Sequence, residues 1–404
     1  MRHKYIEFIK NLGYSFFSFA LPTAVLQFVV QPIIANQLGA EENGQYLTLL
    51  SLNFFIVGVT ATVLNTVRLL QDQKYRENGI AGDFNLIFLM YIVIIVLLMP
   101  AGMIYYTKTV NFISIFLYVI IGLLYLYHDY IYAQYRIKLQ YNKILISNLI
   151  LVLGYLIGLL LFMKTLKWYF VYVVSYFLSF VYDYSNTDFI KEPIKKTVLF
   201  NETIQILLTL TISNLLSSAI TYFDKLLLYP LMGGASVSIY NSAAIVGKML
   251  LMISAPLSSV FLSYLIQENK LKLNFKIKHC ILLSVILLGL YVFCVLIGYP
   301  LTNLLYPNWS KESQQLIPFV VASSLFLLCG SCMNTILLRF FKTSLQLLIQ
   351  SIHLLLYIFF SLIGLKLYGL YGFCLGVALS NLIRFIVVGI NIIYKPRLFL
   401  KQMS

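Results

Sequence analysis

Five ionisable side chains fall inside long apolar runs: Asp129, Asp224, Lys225, Lys248 and Arg384. Three more, Arg68, Asp183 and Arg339, sit near the ends of such runs. A charge held at mid-membrane costs ~2.5–3.5 kcal/mol on insertion scales, so such residues are functional candidates by default. Three are cations against one neighbouring acid. If Lys225, Lys248 and Arg384 face one cavity with Asp224, its charge is about +2, which suits a pyrophosphate in a low-dielectric setting. Arg68 is expected to meet an anionic headgroup at the cytoplasmic mouth. Asp224 and Asp129 are the candidate coupling or charge-partner groups. Adjacent helical residues point ~100° apart, so Asp224 and Lys225 are expected to find partners elsewhere. Asp129 is expected to make a polar lateral contact or to pair with Arg136 or Lys138. His128-Asp129 has no companion motif for acid–base chemistry, and no catalytic residue is assigned. Cys329 and Cys332 form a CxxC with no second pair and no nearby His. They read as helix-packing residues, and no metal site is expected.

The elements that position these charges follow from composition. The chain has 404 residues, 60% hydrophobic and 11% charged, with a mean hydropathy of +0.87. Average soluble domains are ~25% charged, so a water-soluble enzyme, a disordered chain and a disulfide scaffold are excluded. A membrane-spanning helix needs ~20 mostly apolar residues. Spans are predicted near 14–38, 44–67, 84–107, 111–134, 144–163, 168–186, 203–230, 236–266, 279–306, 313–338, 345–366 and 369–393. The polar start, MRHKYIEFIK, leads into a run too long for a signal-peptide core.

Basic residues gather in cytoplasmic loops. With the N-terminus inside, 21 Lys and Arg fall on the inside and 5 outside, leaving Lys225, Lys248 and Arg384 within spans. This predicts both termini in the cytoplasm. It also accounts for the net charge of +15 without a nucleic-acid partner. Pro22, Pro32, Pro230, Pro256 and Pro318 lie in or at the ends of spans, where bends are expected.

A repeat is visible. Leu38-Gly39-Ala40-Glu41-Glu42-Asn43-Gly44-Gln45-Tyr46 and Met232-Gly233-Gly234-Ala235-Ser236-Val237-Ser238-Ile239-Tyr240-Asn241 each place Gly seven residues before Tyr, 194 residues apart. In both, Gly ends a helix, and Tyr is expected to anchor the next one at the interface. The reading is an all-α membrane protein of about twelve spans in two parallel six-helix halves around a central cavity. The halves are 1–190 and 203–404, joined by a cytoplasmic loop over 191–202.

With these motifs the sequence resembles the Wzx-like polysaccharide flippases of the multidrug/oligosaccharidyl-lipid/polysaccharide exporter superfamily. The resemblance is carried by Gln37-Leu38-Gly39…Gly44-Gln45-Tyr46, Gly58 with Arg68, and Ala133-Gln134-Tyr135-Arg136. In the second half it is carried by Asp224-Lys225-Leu226…Gly233…Tyr240-Asn241-Ser242-Ala243-Ala244 and the nearby Lys248. It implies a MATE-like fold in a bacterial cytoplasmic membrane. It also implies export of a polyprenyl-pyrophosphate-linked glycan repeat unit from the inner to the outer leaflet. Its partners would be that lipid, the bilayer and a glycan polymerase of the same pathway. No cofactor is expected, and coupling to a proton, sodium or the membrane potential stays open. The competing readings are a multidrug cation antiporter on the same fold and a membrane glycan polymerase. Residues 14–38 carry no acid for the former, and the outside loops are short for the latter.

Overall fold

The computed structural model describes residues 2–252, 258, 277–341 and 343–394. Among these the chain is helical almost throughout. In order, the helices are α1 (Arg2–Val25), α2 (Gln31–Leu38), α3 (Ala40–Glu77), α4 (Asp83–Thr107), α5 (Phe112–Ile137), α6 (Tyr141–Thr165), α7 (Tyr169–Asn186), α8 (Phe200–Ala243), α9 (Ile277–Leu305), α10 (Ser310–Phe340) and α11 (Thr343–Tyr394). Nine stretches among the described residues are long and apolar enough to span a membrane. Two of these are double. Helix α8 breaks at Gly233, and α11 breaks at Tyr368 and Gly369. With the shorter α7, the chain is an all-α membrane protein of about 12 transmembrane helices.

Helix ends follow local chemistry. The Asn111 side chain caps α5 by accepting the Ile113 and Ser114 amides at 3.1 and 3.2 Å, as an Asn N-cap should. Pro22 sits inside α1, and a single π turn over Leu26–Val30 joins it to α2. Pro32 follows directly in α2, and without an N–H it leaves a carbonyl of that π turn without its helical donor. Helix α1 already begins at Arg2, so the polar start continues the helix. Helix α3 runs to Glu77, well past the predicted span, because its last turns find polar partners in Asp83 and Glu202. The predicted span 236–266 and Pro256 lie partly or wholly outside the described residues.

The chain forms two compact units, Met1–Val237 and Ser238–Ser404. In the first, α3 is the interior helix. It buries Asn43, Thr48, Ser51, Asn53, Thr60, Asn65, Arg68, Gln71 and Asp72 alongside its apolar residues. Helix α4 instead exposes Met90, Val93, Leu97 and Leu98, and α6 exposes Leu149, Leu153, Leu156 and Leu160. Such contiguous apolar faces are lipid-facing on a membrane protein.

Close helix contacts rest on small residues, as expected where lipid supplies no hydrophobic drive between helices. Gly154 and Gly158 of α6 lie against the backbones of Ser175 and Val171 on α7. In the second unit, Gly364 and Gly372 face each other across the α11 break, and Gly376 lies against the backbone of Phe360.

Candidate functional site

The repeated turns share one unusual backbone. Gly39 has φ 79°, ψ 173° and Gly233 has φ 80°, ψ 177°, a region open essentially to glycine. The two turns also touch. A Cβ at Gly44 or at Gly234 would overlap the backbone of the facing turn. The Glu41 carboxylate accepts the amides of Gly234 and Ala235 at 2.8 and 2.9 Å. An acid at a helix start is favourable because the first amides there lack helical partners. The Gln45 amide donates to the Tyr229 hydroxyl at 3.2 Å, and the Tyr106 hydroxyl donates to the Leu226 carbonyl at 3.1 Å. The two repeated tyrosines are not interfacial anchors. Tyr46 is fully buried, bonded to the Tyr172 hydroxyl at 2.6 Å and packed on Trp168. Tyr240 packs on Phe373. A partner for each ring inside the protein outweighs the interfacial preference.

Arg68 lies on α3, 6% exposed. Its two terminal nitrogens form a fork with both Glu192 carboxylate oxygens, one contact at 2.9 Å. The guanidinium is stacked between Phe84 and Phe189 at 4.5 and 4.2 Å to the ring centroids. Around it, the segment after α7 is pinned to the ends of α3, α4 and α5. The Asn85 amide donates to the carbonyls of Phe189 and Glu192. Asp83 accepts the Thr197 amide at 2.7 Å and the Tyr75 hydroxyl at 2.6 Å. The Gln134 side-chain carbonyl accepts the amides of Asp188 and Phe189 and the Thr187 hydroxyl. On the exposed side of this segment, hydrogen bonds from Lys191 and then Lys138 hold the Asp188 carboxyl below its ordinary range.

Asp224 and Lys225 are both buried on α8. Contrary to the expectation from helical spacing, they pair with each other. Lys225 Nζ lies 3.1 and 3.0 Å from Asp224 Oδ1 and Oδ2, and Oδ1 also accepts the Lys225 amide at 2.8 Å. The 100° rule governs Cβ directions. A four-carbon stem is long enough to fold back over one residue.

Asp129 does not pair with Arg136 or Lys138. Asn65 intervenes: its amide donates to the Asp129 backbone carbonyl at 2.6 Å, and its oxygen accepts from Arg136 at 3.4 Å. Lys138 goes to Asp188. Among the described residues no hydrogen bond or ion pair engages the half-buried Asp129 carboxylate. One turn from it, Tyr125 stands between Phe54 and Tyr176, both at 5.5 Å, and Phe54 also meets Tyr222.

Lys248 and Arg384 belong to the second unit. Lys248 Nζ bonds the Asn241 side-chain oxygen. Arg384 is half-buried on the second arm of α11, and its Nε has no partner among the described residues. The side chain of Arg339 lies outside the described residues.

One constellation escaped the sequence reading. His128 of α5, Ser147 of α6, and Ser179 and Asp183 of α7 form a closed polar network, all of them buried. Asp183 Oδ2 accepts the Ser147 and Ser179 hydroxyls at 2.9 and 3.2 Å, and Oδ1 accepts the Tyr135 hydroxyl at 3.1 Å. Ser179 Oγ also bonds Ser147 Oγ and His128 Nδ1, both at 2.8 Å, and His128 Nε2 lies 2.9 Å from the Tyr132 hydroxyl. The available signal was Ser179-x-x-x-Asp183, a polar pair on one face of an apolar helix.

Buried charges, glycine-mediated helix crossings and a duplicated glycine turn mark a multi-span membrane protein. Solved structures agree on the fold. An inward-facing multidrug resistance MATE family transporter of the MOP superfamily has a TM-score of 0.67 at 14% identity, covering 94% of this chain and 97% of that one. Lipid II flippase MurJ in an inward closed conformation has a TM-score of 0.68 at 16% identity, covering 96% and 88%. A point mutant of the Vibrio cholerae MATE transporter VcmN has a TM-score of 0.59 at 14% identity, covering 97% and 96%. No curated protein matches the chain. The model of the polysaccharide biosynthesis protein family matches residues 9–267. The chain belongs to that family.

Proposed function

We propose that this protein is a flippase of a bacterial cytoplasmic membrane, with both termini in the cytoplasm. Its cargo is a polyprenyl-pyrophosphate-linked oligosaccharide repeat unit, moved from the inner to the outer leaflet by alternating access for surface polysaccharide assembly. The observation that carries this reading is the set of membrane-embedded cations, Lys225, Lys248 and Arg384, in a chain of a polysaccharide biosynthesis family. Cations at that depth are expensive, and a pyrophosphate is the anion this pathway presents to them. Arg68, also assigned to the headgroup by its position, has both terminal nitrogens on Glu192. Its part in binding requires Glu192 to yield. Outward movement of an anion gains ~2.3 kcal/mol per charge per 100 mV when the inside is negative. The Asp129 carboxylate and the Asp224–Lys225 pair are the groups assigned to any cation exchange. A glycan polymerase acting on the exported unit is the expected partner in the pathway.

The test is complementation of a host lacking the gene. A triple variant, Lys225→Gln with Lys248→Gln and Arg384→Gln, is expected to reach the membrane. It should fail to restore surface polymer and should leave the lipid-linked repeat unit accumulated on the cytoplasmic leaflet. Normal polymer from the triple variant sinks the proposal.

A further inference from the structure

The geometry points to a subsite in the second unit, between α10 and the two arms of α11, that binds an oxyanion flanked by sugar hydroxyls. It is built from Arg384, Gln346, Gln350 and His353. This rests on the flippase reading for its place in transport, but not for its chemistry.

The two arms of α11 run antiparallel across the break, and their register is fixed. Gly364 faces Gly372, Gly376 lies against Phe360, and His353 Nε2 is bonded to Asn381 Oδ1 at 2.9 Å. One turn further from the break, that register sets Gln350 level with Arg384. Gln346, Gln350 and His353 share one face of the first arm, and Asn381 and Arg384 one face of the second. On α10, Ser323 receives the Asn381 amide at 2.8 Å, and Phe326 stacks on Phe385. Along this row, Gly330 stands near the level of Gln346, and no heavy atom of the described residues lies within 4 Å of a Cβ built there.

Four polar atoms of this cluster are buried with no hydrogen-bond partner among the described residues: Gln346 Nε2, Gln350 Oε1, His353 Nδ1 and Arg384 Nε. His353 is 1% exposed and Gln346 9%. Buried polar groups are nearly always paired, so a cluster of four is the signature of a group that enters and completes them. The character of the histidine atom follows from its partner. The Asn381 amide nitrogen donates to Ser323, so its oxygen faces His353 and His353 Nε2 must donate. The Nδ1 atom of neutral His353 is therefore an acceptor, as is Gln350 Oε1. Arg384 and Gln346 Nε2 are donors, and Arg384 carries a full charge. The complement of two donors with a cation beside two acceptors is an anionic oxygen group carried next to hydroxyls. A sugar phosphate or a uronic acid has that shape.

The test uses the purified full-length protein in detergent and three probes, glucose 1-phosphate, glucuronate and methyl glucoside, followed by ligand-observed NMR titration. Saturable binding of glucose 1-phosphate or glucuronate, at least about tenfold tighter than methyl glucoside, is expected. The acid that binds tighter tells whether the phosphate end or an acidic sugar is the natural occupant. Arg384→Met should weaken binding about tenfold or more, and Gln350→Leu and Gln346→Leu severalfold, as loss of a buried hydrogen bond to a charged or polar group requires. Each variant is checked for an unchanged unfolding midpoint. Arg384→Lys supplies a second reading at that position, since it keeps the charge and loses the Nε donor. No saturable binding, binding equal for methyl glucoside, or acid binding that survives Arg384→Met and Gln350→Leu in folded protein overturns the subsite. Binding with this pattern in a protein that moves no lipid-linked glycan would keep the subsite and sink the flippase reading alone.

Discussion

Asp183→Ala is expected to lower the unfolding free energy of the purified protein by about 3 kcal/mol. The substitution removes the buried carboxylate that accepts the hydroxyls of Tyr135, Ser147 and Ser179. Each lost hydrogen bond to this charged group costs ~1 kcal/mol or more. The loss reaches past them, because Ser179 also bonds His128 Nδ1 and so helps to fix the ring that bonds the Tyr132 hydroxyl. The network ties α5, α6 and α7 together. Denaturant titration in detergent, followed by near-ultraviolet circular dichroism of the tyrosines, is the measurement. Asp183→Asn keeps one acceptor oxygen and should lose about half as much. A change below about 1 kcal/mol for Asp183→Ala would show that the network contributes little to the fold.

Gly234→Leu should be comparably damaging by a steric route. A side chain at Gly234 would overlap the Glu41 carbonyl, and Gly44 stands against Gly234 in turn. Backbone cannot swing aside as a flexible side chain can, so the two turns must part. The Glu41 carboxylate then loses both amides it caps. Overpacking of this kind costs ~1–3 kcal/mol, and the lost cap adds ~1 kcal/mol. The measurement is the thermal midpoint in detergent, with Gly289→Leu as the control, since nothing lies within 4 Å of a Cβ there. Equal midpoints for the two variants would contradict the close approach of the duplicated turns.

The spans were legible because apolar length is nearly the whole determinant of a membrane helix. The duplicated Gly39 and Gly233 turns were legible because only glycine serves that backbone. The charges were visible as residues, but their partners were not. Arg68 meets Glu192, 124 residues away, and no periodicity encodes such a contact. Asp224 and Lys225 paired against expectation because Cβ geometry says little about a long, flexible stem. Tyr46 was placed at the interface by its amphipathic chemistry, whereas Tyr172 and Trp168 satisfy it in the interior. The His128–Asp183 network was hidden for a related reason. Its serines are weak signals singly, and they meet only when three helices pack.

Movement of a lipid-linked glycan between leaflets can be followed in reconstituted liposomes. The purified protein is placed in liposomes carrying a polyprenyl-pyrophosphate-linked oligosaccharide, a membrane potential is imposed, and an impermeant glycosidase reports the externally accessible fraction over time. Accessibility of the internal pool should rise with the wild-type protein and stay at the protein-free rate with the Lys225, Lys248 and Arg384 triple variant. A wild-type rate no faster than protein-free liposomes, in preparations shown to be folded, would sink the flippase proposal.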